Sequence, residues 1–260
     1  MKVIATDNIT SVTASEENAN YPGDNVLDEY PKHQWKSTTA GAAASLTLTA
    51  TSGEAVAVFN TNATSISIEV SSGVSVEWDA GAAWASGIEW VSTYTKVSGG
   101  VYDLTSSGVG SGWADYAPTT INHNVNITFT PPAGEVVKCG VVVVGDVEEF
   151  DDPRPTAFEG LNAFGEVVEL QNGSVFVVDR DDVRTFRLET LMLRADWWRF
   201  LHDIVQNNIR SYPRAWRLVE NENINDWEWV VYARLDGRPT ATGARNSNKV
   251  IASMDLIEVL

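Results

Sequence analysis

The stretch Ala44-Ser-Leu-Thr-Leu-Thr49 decides the fold class of the first half of this chain. Apolar and hydroxyl side chains alternate along it, so Leu46 and Leu48 project from one face of an extended strand. Ser65-Ile-Ser-Ile-Glu-Val70 alternates in the same way, and Ala55-Val-Ala-Val-Phe59 has the continuous apolar character of a fully buried strand. A two-residue period over short segments is typical of antiparallel sheets with one solvated face.

Further strand-like runs extend this pattern to about residue 145. They cover residues 101–104, 124–130 and 136–144. Gly, Ser and Asn separate the runs at short intervals, and no stretch has the helical period. We therefore predict an antiparallel β-sandwich over residues 1–145.

The arginines divide the chain into two parts. All twelve lie at or after Arg154, whereas residues 1–145 carry their positive charge on five lysines. The first part is rich in Ala, Ser, Thr, Gly and Val, and the second in Arg, Asp, Glu, Trp and Leu. Such a change of composition indicates two folding units with different surfaces, and 260 residues are enough for two cores.

The charge of the chain limits its partners. The formal net charge is −17, and both parts are acidic. An acidic surface repels phosphate backbones, so we do not expect nucleic acid on the folded faces. No apolar run is long enough for a membrane span, and the first residues lack the apolar core of a signal peptide. We expect synthesis in a cytosol and no membrane insertion.

The sequence carries no recognisable catalytic or cofactor motif. Cys139 is the only cysteine and lies in an apolar run, which favours a buried structural thiol. His33, His123 and His202 each stand alone in their segments, without zinc-ligand spacing. Nucleophile-elbow and phosphate-loop patterns are absent as well. We predict no catalytic residue, metal or cofactor, and a protein that is not an enzyme; a paired-carboxylate glycosidase is the open alternative, since any acidic chain offers candidates.

One motif of the first part resembles a known family. The segment Thr13-Ala-Ser-Glu-Glu-Asn-Ala-Asn-Tyr-Pro-Gly-Asp-Asn-Val-Leu-Asp28 is followed by Trp35. It resembles the opening of galactose-binding-like, discoidin-type sandwiches. The resemblance implies that Asn25, Leu27 and Asp28 brace a loop and that Trp35 closes one end of the core.

Sandwiches of that family often bind sugars, so the aromatic side chains of Gly-rich segments have two interpretations. In the first, exposed rings stack on a sugar or contact a partner. In the second, the rings pack in the core or against a neighbouring subunit. The candidates are Trp84, Trp90, Tyr94, Trp113 and Tyr116.

Two groups of carboxylates have the chemistry of metal ligands. Asp24 and Asp28 have the oxygens that Ca²⁺ prefers, as in some relatives, but no dense Asp/Asn series accompanies them. Residues 146–158 hold a run of carboxylates and two prolines. We predict that this segment is a solvated acidic linker without regular structure.

The second part, residues 159–260, is predicted to be a β-barrel with one packed helix. Phe164-Gly-Glu-Val-Val-Glu-Leu-Gln-Asn-Gly-Ser-Val-Phe-Val-Val-Asp179 has alternating runs on both sides of Asn-Gly, the signal of a β-hairpin. A strand over 183–194 precedes a predicted helix over 196–208 with Asp196 as its N-cap. Three further strands follow. The apolar stripe of the helix consists of Trp197, Phe200, Leu201, Ile204 and Val205.

This order of elements resembles the tail-tube-like barrel of distal tail and tail-tip proteins of long-tailed bacteriophages. The segments that carry the resemblance are 184–188, 196–208 and 212–218. The family implies a structural virion protein of the tail tip or baseplate, made in the bacterial cytoplasm and located in the virion tail. It also implies a homo-oligomeric ring, with a hexamer favoured over a trimer, that contacts tube, tape-measure and hub proteins. A sandwich before the barrel departs from the usual order, so the position in the tail stays open.

Arginines alternate with acidic residues along residues 179–199, which predicts ion pairs between subunits of such a ring. The candidate interface residues are Arg180, Arg184, Arg187, Arg194 and Arg199. The alternative function is a carbohydrate-binding module that recognises host-surface glycans.

Overall fold

The computed structural model describes residues 1–28, 30–71, 102–103, 110–151, 158–162, 166–169, 175–178, 183–206, 212–218, 230–243 and 247–259. The protein is mainly β, and the strand pairs among the described residues are antiparallel, which confirms the predicted fold class. The strands are β1 (Lys2–Ile4), β2 (Ile9–Ala14), β3 (Trp35–Lys36), β4 (Ala44–Ala50), β5 (Gly53–Thr61), β6 (Ser65–Ser71), β7 (Tyr102–Asp103), β8 (Gly110–Thr119), β9 (His123–Thr130), β10 (Lys138–Cys139), β11 (Val141–Gly145), β12 (Val147–Glu149), β13 (Phe158–Asn162), β14 (Glu166–Glu169), β15 (Val175–Val178), β16 (Val183–Leu193), β17 (Arg214–Arg217), β18 (Val230–Leu235), β19 (Thr240–Thr242) and β20 (Lys249–Glu258). The helical segments are a 3-10 turn at Gly23–Leu27, an α-helix, α1, at Arg194–Arg199 and a π-helical continuation at Phe200–Gln206.

The first part forms the predicted sandwich. A five-stranded sheet with the order β2-β4-β9-β6-β7 faces a three-stranded sheet with the order β11-β5-β8. Leu46 and Leu48 of β4 point into the core between the sheets, and Val56 and Val58 of β5 meet them from the other side. The alternation of β4 therefore gives the strand one buried face and one polar face.

Strand β5 is covered on both faces, as its continuous apolar sequence predicts. Val56 and Val58 belong to the sandwich core, whereas Ala57 and Phe59 point the other way into a second apolar layer. Strand β11 divides in the same manner. The three-stranded sheet is therefore an inner layer of the molecule.

The second sheet has eight strands and curls into a half-barrel. Its order is β12-β1-β17-β18-β20-β16-β13, and β19 pairs with β20. Strand β1, from the start of the chain, lies between β12 and β17. The sequence predicts that residues 1–145 belong wholly to the sandwich, and this prediction is wrong for β1. Strand β12 lies in the predicted linker, so the expectation of no regular structure there is wrong for Val147–Glu149. The acidic residues are tolerated because β12 is the outermost strand of the sheet.

The half-barrel packs directly on the sandwich. Ile4 and Tyr232 of the half-barrel contact the layer that contains Ala57 and Phe59. The rings of Phe59 and Tyr232 lie 5.2 Å apart between centroids. The layers therefore follow one another as five-stranded sheet, three-stranded sheet, half-barrel and helix.

A charged group lies at the edge of this contact between the sheets. Asp115 of β8 accepts from Lys2 Nζ at 3.0 Å and from Arg217 Nη1 at 3.2 Å. Its other oxygen accepts from Trp113 Nε1 at 2.8 Å. One carboxylate thus joins the sandwich to two strands of the half-barrel.

The helix lies on the outer side of the half-barrel and begins two residues before the predicted start. Leu193 is its N-cap residue and makes no side-chain capping hydrogen bond, and Asp196 lies in the first turn. The predicted apolar stripe is confirmed, because Trp197 and Phe200 are buried while Leu201 and Val205 pack partly buried against the same core. The side chain of Ile204 and residues 207–208 lie outside the described part of the chain.

The predicted hairpin is present. Strands β14 and β15 pair from Glu166 opposite Val178 to Glu169 opposite Val175, and the Asn-Gly turn lies outside the described residues. Within the described residues, no helix is long and apolar enough to cross a membrane.

Candidate functional site

Residues 15–28 and 30–34 connect β2 to β3 and are called here the β2–β3 loop. Buried contacts hold this loop in place. Trp35 is fully buried and donates from Nε1 to the Glu16 carbonyl at 3.0 Å. The amide of Asn25 donates to the Gln34 carbonyl at 3.0 Å, and Glu17 accepts from the Gly23 N–H at 3.0 Å. The bracing predicted for Asn25 and the core position predicted for Trp35 are confirmed.

The far end of the loop rests on an unusual stretch of β5. Asn60 has a φ of 54°, in the left-handed region that few side chains adopt, and its amide donates to the Pro31 carbonyl at 2.6 Å. Gly140 lies against the same carbonyl, where a Cβ would collide with Pro31 O and Asn60. The close approach requires glycine at position 140 and fixes the loop tip against the sandwich.

The loop presents two exposed rings beside polar groups. Tyr30 is 63% exposed, and its ring lies 5.5 Å from that of His33. Asp28 accepts the Tyr30 N–H at 3.2 Å through one oxygen and lies 2.8 Å from His33 Nδ1 through the other. Lys36 Nζ lies 3.7 Å above the ring of Tyr21. Tyr30, His33 and Asp28 therefore form a surface with one exposed phenol ring beside an imidazole and a carboxylate.

One prediction for this loop needs correction, because Leu27 is partly exposed and does not brace the loop from the core. The contact of His33 with Asp28 was not predicted, and it forms because the loop folds back and brings the two side chains together. This contact spans five residues through an irregular loop, and neither a helical nor a strand period predicts it.

The predicted aromatic candidates fall into two groups, those that are buried and those that lie outside the described residues. Trp113 and Tyr116 are buried, so their interpretation as surface contacts is wrong and the core interpretation holds for them. Trp113 packs between the sheets, and the Tyr116 hydroxyl lies 2.9 Å from His123 Nε2. Burial, together with nearby Asp146 and Glu54, raises the pKa of Tyr116. Trp84, Trp90 and Tyr94 lie outside the described residues.

Asp24 and Asp28 do not form a metal site with the neighbours that the structure describes. Both oxygens of Asp28 have protein partners, and Asp24 lies exposed in the first turn of the 3-10 segment. Among the residues that the structure describes, no three or more His, Cys, Asp or Glu side chains are placed to hold a metal ion.

Several candidate interface arginines bind acidic partners on their own chain. Arg184 forms a bidentate pair with Glu258, with Nη2–Oε1 2.6 Å and Nε–Oε2 2.8 Å. Arg187 pairs with Asp255 at 2.9 Å, across the β16–β20 ladder. Arg199 pairs with Glu148 at 2.6 Å. These contacts tie the half-barrel together within one chain. Arg194 is exposed at the start of the helix, and Arg180 lies outside the described residues.

Cys139 is a structural thiol, as the sequence predicts. It is fully buried in the sandwich core, and burial raises the pKa of its thiol. Its Sγ lies 3.9 Å from the Phe59 carbonyl, a weak contact. This environment disfavours the nucleophilic thiolate.

Comparison with known proteins gives a likeness to solved structures only. No protein-family model matches the chain, and no curated relative matches it. Chitosan-binding module 1 of a chitosanase/glucanase from Paenibacillus sp. IK-5 is 16% identical with a TM-score of 0.36, covering 56% of this chain and 98% of the module. Module 2 of the same enzyme, in complex with chitotriose, is 17% identical with a TM-score of 0.34, covering 54% and 98%. Reduced XRCC1 bound to the DNA pol beta catalytic domain is 15% identical with a TM-score of 0.35, covering 54% and 97%.

At these identities and TM-scores, the likeness assigns neither a family nor a function to this chain. The tail-tip assignment made from the sequence stays a prediction.

Proposed function

We propose that this protein has a binding rather than a catalytic role, and that the β2–β3 loop binds an oligosaccharide. The observation that carries the proposal is the exposed ring of Tyr30 on a loop braced by buried Trp35 and by the amides of Asn25 and Asn60. Binding sites place rigid apolar surfaces beside a few oriented polar groups. A loop that is already ordered loses little conformational entropy when a ligand binds.

The groups around Tyr30 have the chemistry that a sugar requires. An aromatic face packs on the apolar face of a pyranose, while Asp28 and His33 can exchange hydrogen bonds with its hydroxyls. The net charge of −17 attracts cationic ligands and repels anionic ones. We therefore expect amino-sugar oligomers to bind more tightly than neutral or acidic ones.

Titration calorimetry with chitotriose, cellotriose and a trimer of galacturonic acid tests this order. The Tyr30→Ala variant should bind the preferred sugar about tenfold more weakly, since losing one stacked ring costs roughly 1.4 kcal/mol. Ile121→Ala is the matched control, because Ile121 is an exposed apolar residue of a different loop. The proposal fails if wild-type protein shows no binding at millimolar sugar, or if both variants bind alike.

A second candidate is the structural virion component that the sequence resemblance implies. Its support is the order of elements in the second part: the β14–β15 hairpin, long strand β16, the helix and the returning strands. Electron microscopy of the purified protein mixed with tail components tests it, and a homo-oligomeric ring is the expected result. A chain that stays monomeric and never enters tails contradicts this candidate.

A further inference from the structure

The tip of the β2–β3 loop is anchored by a buried proline. Pro31 is buried, although Tyr30 and Lys32 on either side of it are exposed. The Tyr30 carbonyl accepts from the His33 N–H at 2.9 Å, which closes a turn around the proline. The Pro31 carbonyl accepts from the Asn60 amide at 2.6 Å. The exposed rings of Tyr30 and His33 therefore lie on the two sides of one buried anchor.

Asn60 reaches this anchor from an irregular stretch of β5. The pairing of β5 with β8 shifts register between Val58 and Thr61. In the part of the chain that the structure describes, Asn60 is the only non-glycine residue with a positive φ. This conformation costs free energy for a residue with a side chain, although asparagine tolerates it better than most. Its own carbonyl accepts from the Gly140 N–H at 3.1 Å, so the backbone and the side chain of Asn60 are both held.

The backbone conformation at position 60 does not by itself require asparagine. Glycine adopts a positive φ without steric cost, but it has no amide to donate to the Pro31 carbonyl. That carbonyl belongs to a buried residue, where an unsatisfied acceptor is unfavourable. The other two braces, Trp35 and Asn25, donate to carbonyls near the two ends of the loop. The side chain at position 60 thus serves the loop tip.

We propose that Asn60 is a positioning residue of the β2–β3 loop: its amide holds the loop tip in the arrangement that binds sugar, at the expense of a strained backbone. This inference rests on the proposed function of the loop. Strained residues persist where the surrounding structure holds them, and they cluster at ligand sites. When a binding arrangement is populated only part of the time, the apparent affinity falls in proportion to that fraction. Freeing the tip should therefore weaken sugar binding.

Two substitutions at position 60 separate positioning from stability. Asn60→Gly removes the amide but also relieves the strained φ, so the midpoint of chemical denaturation should change little. Asn60→Ala removes the amide and keeps the strain, so its midpoint should fall. Calorimetric titration with chitotriose should give both variants the same loss of affinity, about tenfold, because both free the tip. An affinity that followed stability would differ between them.

A matched control and a measurement without sugar complete the test. Asn62→Ala removes an amide that donates to the Val136 carbonyl at 2.9 Å, which is not part of the loop. It should lower the midpoint of denaturation and leave the affinity for chitotriose unchanged. Hydrogen exchange of the His33 N–H reports on the tip in the absence of sugar. We expect it to be faster in Asn60→Gly and Asn60→Ala than in wild type, and unchanged in Asn62→Ala.

The outcomes that overturn the inference differ from those that overturn the proposed function. Unchanged affinity of Asn60→Gly overturns the inference, and so does an equal loss of affinity in Asn62→Ala. Weaker binding by Asn60→Gly without faster exchange of the His33 N–H overturns it too, because the tip is then still in place. In these three cases wild-type protein still binds sugar and the proposed function stands. If wild-type protein does not bind chitotriose or the other sugars, both fail, and faster exchange in Asn60→Gly then marks an anchor with a structural role alone.

Discussion

Trp35 shows how a single side chain connects the core with the exposed loop. Its ring packs against Phe129 in the sandwich core at 5.7 Å between centroids, while its N–H holds the Glu16 carbonyl. Replacing it would remove both the packing and the anchor of the loop. The shape of the candidate sugar site therefore depends on a residue that is itself fully buried.

Burial determines the chemistry of Cys139. An ordinary thiol becomes a thiolate near pH 8.5, and a raised pKa keeps the Cys139 thiol protonated in the folded state as the pH rises through that value. We expect native protein to react with a disulfide reagent such as dithionitrobenzoate hardly at all at pH 8 and only slightly at pH 9. Protein unfolded in guanidinium should release one equivalent of chromophore, as the single cysteine requires. Stoichiometric labelling of native protein at pH 8 would contradict this prediction.

The aromatic residues show what the sequence could predict about the candidate site. Trp113 and Tyr116 occur in a Gly-rich segment, yet both rings are buried because strand β8 has an apolar layer on each of its faces. Trp113 lies in the layer against the half-barrel, and Tyr116 lies in the sandwich core. Tyr30 occurs in a segment rich in Asp, Asn and Pro, which indicates a loop but not which ring it exposes. The exposure of Tyr30 follows from distant contacts, such as that of Asn60 with Pro31, and local pattern carries no information about them.

The two-residue period of the sequence predicts most of the strands, but it does not predict that β1 pairs with β12 and β17. Val3 and Ile4 are adjacent in sequence, and each is buried in a different apolar layer. A run of three residues is too short to show a period. Its partners β12 and β17 lie far along the chain, so only the assembled sheet shows where β1 lies.

The predicted start of the helix is wrong by two residues. Asp196 has a side chain that is favourable at an N-cap position, but it lies inside the first turn of the helix.

The short strand β1 should be as important to stability as a central strand. Val3 is fully buried against the core of the half-barrel, so Val3→Asp places a carboxylate there without a designed partner. We expect a loss of about 3–5 kcal/mol in the free energy of unfolding. Thr13→Asp is the control, since Thr13 is an exposed strand residue of β2, and its loss should stay within about 0.5 kcal/mol. Chemical denaturation gives both values, and equal losses would show that β1 is dispensable.

The layered arrangement makes the division of the chain into two units incomplete. The three-stranded sheet has one face in the sandwich core and the other against the half-barrel, and β1, β17 and β18 likewise have two buried faces. Asp115 adds a charged contact at the edge of this interface with Lys2 and Arg217. The difference in arginine content therefore marks a change of surface chemistry, not a break between independent cores.

We expect the sandwich and the half-barrel to unfold together. The three-stranded sheet and the half-barrel each cover one apolar face of the other, so their separation would expose both faces. Calorimetry should give a single transition with equal calorimetric and van't Hoff enthalpies. Ala57 is fully buried between the sheets, so Ala57→Arg should separate the units into two transitions and destabilise the protein by roughly 3 kcal/mol or more. Ser67→Arg is the matched control on the exposed face of β6 and should keep the single transition. Two resolved transitions in wild-type protein would show that the units fold independently despite their shared apolar layer.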